Sequence, residues 1–427
     1  NGIDNKPTEG PVGIWAYYSN NVTIQLNEAY DNKTSNGDGG GFDLDLGVTN
    51  SVMQYNYSHD NAGAGYMLWG AGGGNIVRYN VSQNDGRSNN IPAAAFTIGG
   101  ASSGAQVYNN TFYISPTSSG AKPPAVKVIN GLATLGFRNN IVIATGGSDL
   151  VRAESGATGV STFQGNNYWT YGGAFNINWG GTNYSSLSAW RATGQEKNGA
   201  NNTGLNVDPR LWDAGNGGTI GNANNLGNLN AYRLQSGSPM INAGLNLTAS
   251  PWSLSVGSRD FYGAAIPFGG SYDIGAHEYS NLLANPSFDA ENYDTQTPSG
   301  WSEWSGNNYN AGYTEAYGGS KFGARHGTHW NGSAYNMYTY QYKNGLANGL
   351  YTARVWAKSG GGQTACQFDV KDFGGTRIAV NIPVSSSYQL VEIKNINVTN
   401  GQCTVGIWSD AAANQWVYFD EVELVKQ

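Results

Sequence analysis

Down the first half of the chain, apolar and polar positions alternate in runs too short for helices, and each run closes on an Asn. Ile24-Gln25-Leu26-Asn27 is followed by Met53-Gln54-Tyr55-Asn56 and Val77-Arg78-Tyr79-Asn80, then by Gln106-Val107-Tyr108-Asn109 and Gly136-Phe137-Arg138-Asn139. The Asn spacings are 29, 24, 29 and 30 residues. A second, apolar column (Ile14, Phe42, Tyr66, Phe96, Val126) precedes each Asn by 13 or 14 residues. A period of this size marks stacked units, none of which can bury its apolar face alone. The unit reads strand, turn, strand, Asn, loop, with no room for a helix. The pattern therefore predicts coils of a parallel β-helix from Val12 to Thr170. The Asn column becomes a ladder of stacked amides that satisfies backbone groups at one corner.

Beyond Thr170 the repeat fades. Ser185-Ser186-Leu187-Ser188-Ala189-Trp190-Arg191-Ala192 predicts one short helix with a Ser start. After Tyr279 the alternation changes to that of an antiparallel sandwich, opened by Asn281-Leu282-Leu283 and closed by Trp416-Val417-Tyr418-Phe419-Asp420-Glu421-Val422-Glu423-Leu424. The expected class is all-β, with a parallel β-helix over 1–280 and a β-sandwich over 281–427.

Alternation also decides which residues face outward. In Phe42-Asp43-Leu44-Asp45-Leu46 the apolar set points in, so Asp43 and Asp45 share the outer face. The same register puts Trp15 and Tyr17 outside in the coil before, and Met67 and Trp69 outside in the coil after. Asp38, in the turn Gly37-Asp38-Gly39-Gly40-Gly41, leads into the pair, and His59 and Asp60 end the next strand. Paired carboxylates flanked by exposed aromatics suit glycoside hydrolysis, since aromatic faces stack on sugar rings. Residues i and i+2 on a strand lie roughly 6.6 Å apart, a separation that favours inversion. Exposed Asp residues that are merely solvated, or that bind calcium, are the bland alternative. Arg78, Arg87 and Lys127 are the bases available to a lyase, and they do not cluster with the carboxylates in this register.

In the sandwich, alternation turns Arg354 and Trp356 outward, along with Gln367, Asp369 and Trp408. Trp330 and Trp416 lie at strand ends. Exposed Trp beside amide and charged groups is equipment for holding a sugar chain. Cys366 and Cys403 fall on inward positions, which leaves a buried disulfide and two free thiols both open.

Composition narrows the classes. Of 427 residues 62 are Gly and only 12% are charged, which suits a turn-rich all-β protein, while 12% aromatic content argues against disorder. A net charge of −7 makes nucleic acid an unfavoured partner. No apolar run approaches the roughly 18 residues of a membrane span. No zinc spacing, P-loop, nucleophile elbow or Cys-His arrangement occurs. The first residues show neither a signal peptide nor a polar cap over Ile14, so an upstream fragment of the same polypeptide is expected as a partner at that end. Two Cys, low charge and abundant Asn, Thr and Tyr suggest a secreted bacterial protein.

Two resemblances add to this reading. Tyr232-Arg233-Leu234-Gln235-Ser236-Gly237-Ser238-Pro239 and Tyr272-Asp273-Ile274-Gly275-Ala276-His277-Glu278-Tyr279 resemble the closing segment of secreted right-handed parallel β-helix proteins of the pectate-lyase-like superfamily. Read structurally, these segments cap the last coils. Gly323-Ala324-Arg325-His326-Gly327-Thr328-His329-Trp330, Asn395-Ile396-Asn397-Val398-Thr399-Asn400-Gly401-Gln402-Cys403 and the closing strand resemble jelly-roll carbohydrate-binding modules behind bacterial galactanases. That likeness implies a galactan or other plant cell-wall glycan as partner. It also implies one structural calcium, matched here by Asp289 and Asp420. The combined expectation is a secreted, inverting glycoside hydrolase. A polysaccharide lyase on the same helix and a non-catalytic glycan-binding or adhesive protein remain open.

Overall fold

A computed structural model describes residues 11–34, 37–88, 93–131 and 134–427. The chain divides into two units, residues 1–279 and 280–427.

The first unit is a parallel β-helix with three sheets. The first sheet stacks Ile14–Ala16, Phe42–Leu44, Tyr66–Trp69, Phe96–Gly99, Val126–Val128, Val151–Ala153 and Ile177–Trp179, with Thr182–Tyr184 added antiparallel. The second runs from Thr23–Gln25 to Ser161–Gln164 and the third from Glu28–Tyr30 to Asn167–Trp169. The apolar column is in register: Ile14 pairs Phe42, Phe42 pairs Tyr66, Tyr66 pairs Phe96 and Phe96 pairs Val126. These side chains are the core, because each coil buries its apolar face only against the coils above and below.

The amide ladder exists, displaced by one residue in two coils. It runs Asn27, Asn56, Asn80, Asn110, Asn140, Asn166, and not through Asn109 and Asn139. Each Oδ1 accepts the backbone N–H and the Nδ2 of the preceding ladder Asn, as Asn110 does from Asn80 at 3.0 Å. From Asn56 onward each Nδ2 also donates to an interior carbonyl, as Asn110 does to Val77. The line ends on Glu196, whose Oε1 accepts from Asn166 Nδ2 at 2.8 Å. A second, shorter line runs Asn32, Asn61, Asp85 and likewise ends on a carboxylate.

The residue before each ladder Asn takes a left-handed backbone: Leu26 (φ 58°), Tyr55 (57°), Tyr79 (49°), Asn109 (52°), Asn139 (50°) and Gly165 (70°). Asn and Gly tolerate that conformation best. Asn109 and Asn139 therefore serve the corner's backbone, and the next Asn serves the ladder.

Beyond the coils, the helix Leu187–Arg191 forms as expected, its Ser186 hydroxyl accepting the Ala189 N–H. Its Trp190 closes the core against Phe163, Tyr168 and Trp179. The segments around Tyr232 and Tyr272, read as caps, lie elsewhere. Tyr232, Leu234 and Ile274 pack on Tyr57, Val81, Ile141 and Ile143, along the outer face of the third sheet, because that face is itself apolar. Among the described residues no helix is long and apolar enough to cross a membrane.

The second unit is a sandwich of two five-stranded antiparallel sheets. One is ordered Ser302–Trp304, Tyr335–Asn344, Gln402–Ala411, Ala365–Lys371, Ile378–Asn381. The other is ordered Gly312–Glu315, His326–Trp330, Trp416–Lys426, Gly349–Ser359, Gln389–Val398. Phe368, Val405 and Ile407 from the first sheet meet Ala353, Val355, Phe419 and Leu424 from the second. His329 is buried between the sheets, its nitrogens on Ser409 (2.8 Å) and Thr339 (2.9 Å), and burial pushes its pKa down to about 3. Cys366 and Cys403 are free thiols, the second fully buried.

Candidate functional site

On the β-helix, one row crosses the outer face of the first sheet: Trp15, Asp43, Met67, Thr97, Lys127, Arg152. Phe42 and Leu44 enter the core, which forces Asp43 outward. Outward does not mean solvated here. Asp43 is 1% exposed, and its Oδ1 has no hydrogen-bond partner among the described residues. Burial, then the charges of Asp45 and Asp38, push its pKa well above the usual carboxylate range. Met67 is buried beside it and Thr97 one strand further on, whereas Trp15 (53% exposed) and Tyr17 (47%) are open and meet edge to face at 5.8 Å. Trp69 is half-buried over the backbone of Gly99 and Gly100.

The carboxyl geometry differs from the expected parallel pair. The strand ends at Leu44, and Asp45, half-buried, turns its Oδ1 onto the Leu46 N–H at 2.7 Å. The side chains do not stand as i and i+2 on one strand, so the 6.6 Å premise for inversion is lost. Asp38 sits in left-handed backbone (φ 53°) at the preceding turn.

His59 does not join this group. It lies on the third sheet, sandwiched between Tyr30 (4.9 Å) and Tyr57 (4.6 Å), with Nδ1 on Asp60 and Nε2 on Glu28. Burial opposes its charged form, but Asp60, Asp85 and Glu28 outweigh that and raise its pKa. Glu28 also accepts the N–H groups of Ile220 and Gly221, so the cluster fastens a crossing segment instead of facing a groove.

In the sandwich, the outer face of the first sheet forms a cleft of about 780 Å³. Register builds it: Trp304, Tyr338, Trp408 and Gln367 stand in one row, Tyr340, Gly406 and Asp369 in the next, and Tyr342, Thr404 and Lys371 in a third. Gly406 admits the Tyr338 ring across the floor, since a Cβ there would meet it at 2.6 Å. Trp304 and Tyr342 are about half exposed, at 48% and 50%. Trp304 lies 5.9 Å from Trp408, and Tyr338 stacks on Tyr340 at 4.9 Å. Asp369 is buried, accepts from Tyr338 Oη (2.7 Å) and pairs with Arg377, which reaches Gln367 at 3.0 Å. Flat aromatic faces with a fixed polar network at one side suit a sugar chain.

Of the sandwich residues singled out from sequence, Gln367, Asp369 and Trp408 share this cleft. Arg354 and Trp356 face outward on the opposite sheet. Arg354 is buried there by Glu392 (2.7 Å) and Glu423 (3.2 Å), and Trp356 carries Lys321 at 4.2 Å over its ring. Trp416 meets Tyr418 at a tilt of 36°, and Trp330 borders a shallow hollow with Asp294 and Tyr313. The tyrosines were missed, although Tyr338-Thr339-Tyr340-Gln341-Tyr342 carries the period-two signal openly.

Asp289 and Asp420 converge on the loop 320–325. Asp420 Oδ2 accepts from Lys321 and Phe322 N–H at 2.8 and 2.9 Å, and Asp289 Oδ1 from Ala324 and Arg325 N–H, both at 2.9 Å. Among the described residues no three His, Cys, Asp or Glu side chains gather to hold a metal. A calcium ion there would need these two carboxylates plus backbone oxygens of the same loop.

No family model matches the chain. A 1,6-alpha-glucosyltransferase of Sporosarcina globispora is 31% identical over 64 residues, which is 15% of this chain and 5% of that protein's length. Among solved structures, TmCBM61 in complex with beta-1,4-galactotriose is similar to 35% of this chain over all of its own length (19% identity, TM-score 0.30). A family 16 carbohydrate-binding module is similar to 34% of this chain, again over its full length (18% identity, TM-score 0.26). The enzymatically active domain of bacteriophage CBA120 tailspike protein 4 aligns with 99% of this chain and 45% of its own (10% identity, TM-score 0.31).

Proposed function

We propose that the chain is a polysaccharide-degrading glycoside hydrolase whose sandwich holds the glycan and whose β-helix cleaves it. The observation that carries the catalytic part is Asp43: a buried carboxyl with an unpartnered oxygen, beside two further carboxylates and below open aromatic faces. An acid kept protonated by burial donates well to a leaving group. In the step we assign, Asp43 gives its proton to the glycosidic oxygen as the C–O bond breaks. Asp45 or Asp38 takes a proton from the water that attacks the anomeric carbon. Trp15 and Tyr17 supply the stacking surface.

The test is a polysaccharide panel assayed for reducing ends and for unsaturated-product absorbance, with wild type and Asp43→Asn. Reducing ends without absorbance, lost in the variant, are expected. Absorbance would make the chain a lyase, and neither signal alongside retained binding would leave a glycan-binding protein. The first-formed anomer decides stereochemistry. As part of the same reading, calcium between Asp289 and Asp420 should raise the sandwich's melting temperature, since a ligand specific for the native state stabilises it. Identical melting with EDTA and with calcium removes that element.

A further inference from the structure

The β-helix bases divide sharply. Arg78 is committed to Gln54 (2.8 Å) and the Ser255 carbonyl, and Arg87 to the carbonyls of Asp85, Ser115 and Pro116. Lys127 has no hydrogen bond or ion pair among the described residues, yet it is half-buried. It stands in the same outward row as Asp43, three strands further on, roughly 14 Å at the usual strand spacing.

Its cross-strand partner is Arg152, directly opposite. Like charges facing each other on neighbouring strands repel. Burial, and then Arg152, lower the Lys127 pKa. Lys122 completes the group from its loop, lying so close to Gly147 that a Cβ there would meet its Nζ at 2.9 Å. The three cations, with Ser88, Pro123 and Pro124, line a pocket of about 180 Å³.

The neighbouring acids are already in use. Asp149 Oδ2 takes Arg152 Nε (2.7 Å) and Nη2, and its Oδ1 takes Asn176 Nδ2 (2.5 Å). Glu154, which eases the charge on Lys127, accepts the Asn130 N–H at 2.9 Å. Among the described residues that line it, the pocket has cations side by side, room for a small group and no carboxylate, Asp149 lying outside the lining on Arg152.

We propose that this pocket is a subsite for an anionic substituent, a uronate carboxylate or a sulfate ester, on the glycan lying along the outer face of the first sheet. A guanidinium beside an ammonium matches the oxygen geometry of either group. The proposal deepens the hydrolase reading and rests on it for the path of the glycan: the same row would carry the acid at Asp43 and the charge reader at Lys127.

The experiment measures binding of the full chain, in a Trp408→Ala background that silences the sandwich cleft, by titration calorimetry. The probes are a galacturonate tetrasaccharide, its methyl ester and a sulfated galacto-oligosaccharide. At least one anionic probe should bind, and weaken as salt rises. Lys127→Met and Lys122→Ala should each weaken it about tenfold or more, the scale of a lost charged hydrogen bond, while Lys127→Arg retains it. Preference for the uronate or for the sulfate names the source of the charge. Equal binding of acid and ester, no binding of either anionic probe, or unchanged affinity in a Lys127→Met chain of unaltered melting temperature would each overturn the proposal. Asp43→Asn turnover on a cleaved polysaccharide tests the hydrolase reading separately. If that variant turns over normally while Lys127 still governs binding, the reading fails and the subsite stands.

Discussion

Across the sandwich cleft, Trp304, Tyr338 and Trp408 present their faces side by side, and the one deeply buried acid beneath them, Asp369, is bonded on both oxygens. Across the β-helix, the row through Trp15, Asp43, Met67 and Thr97 buries an acid and leaves one of its oxygens unbonded. The contrast separates two needs. Affinity for a sugar wants open apolar faces and polar groups already satisfied, so that binding costs little desolvation. Proton transfer wants a desolvated acid whose bonding is incomplete until the substrate arrives. On the proposed reading, one chain meets both needs by giving each its own sheet.

Four measurements would break or sharpen that contrast. The largest effect is expected from Asp43→Asn, which should lower turnover by about 10²–10⁴-fold, the usual contribution of a general acid, with sandwich affinity unchanged. A loss of less than tenfold would mean that the unbonded oxygen is not the reacting group. Next comes the frame that holds the row. Asn140→Ala strands the Asn110 backbone N–H, which has Asn140 Oδ1 as acceptor, while the Asn110 Nδ2 keeps the Val77 and Tyr108 carbonyls. It should destabilise the β-helix by about 1–3 kcal/mol for each buried group left unpaired. Calorimetry should show only the first unit's transition move; an equal shift in the sandwich would show that the two do not unfold separately.

Trp408→Ala should weaken polysaccharide binding by about 1–3 kcal/mol, the scale of burying a large apolar side chain, and leave turnover of short soluble oligosaccharides intact. Unretarded migration of both proteins in affinity gels would deny the cleft its role. The smallest effect is in pH. Burial pushes Asp85 and Asp260 up to about 6, well above the ordinary carboxylate value. Their folded forms hold protons that the unfolded chain has released. The stability they contribute is therefore complete below about pH 4 and is lost as pH rises through 6. In the sandwich His326 and His329 are pushed down to about 4 and about 3, which works in the opposite direction between pH 4 and 6.5, against Glu303, raised to about 7. The β-helix transition should thus fall by several degrees between pH 4 and 7 while the sandwich changes less. Parallel slopes would refute the assignment.

Much of this was legible in the chain because stacking repeats itself. Ile14, Phe42, Tyr66, Phe96 and Val126 announce their register by period alone. The Asn column slipped by one at Asn109 and Asn139 because the chain carries Asn twice there, once for a left-handed corner and once for the ladder. A period finds the corner, and only the backbone conformation tells the two apart. Alternation correctly sent Asp43 outward, but burial on an outer face depends on chain from elsewhere, which a two-residue period does not encode. For the same reason Arg354 and Trp356 read as binding residues: alternation separates inside from outside and is silent on which sheet of a sandwich a strand joins. Tyr338, Tyr340 and Tyr342 escaped notice although their period was plain, because each reads equally well as core.

The amide lines of the β-helix have a direction. Every carboxamide passes its N–H to the next coil and receives from the one before, until Glu196 in one line and Asp85 in the other. A carboxylate accepts but has nothing to hand on. These two acids behave as chain terminators: they fix where a hydrogen-bonded polymer of side chains stops growing, and they do so by replacing one nitrogen with oxygen. Glu196→Gln would turn a terminator back into a monomer whose new donor has the Thr203 hydroxyl, at 3.1 Å from the present Oε2, to receive it instead of a further coil. The length of an amide line is therefore written into the kind of atom at its last corner, independently of the coils, which continue past Asp85 to Asn167–Trp169.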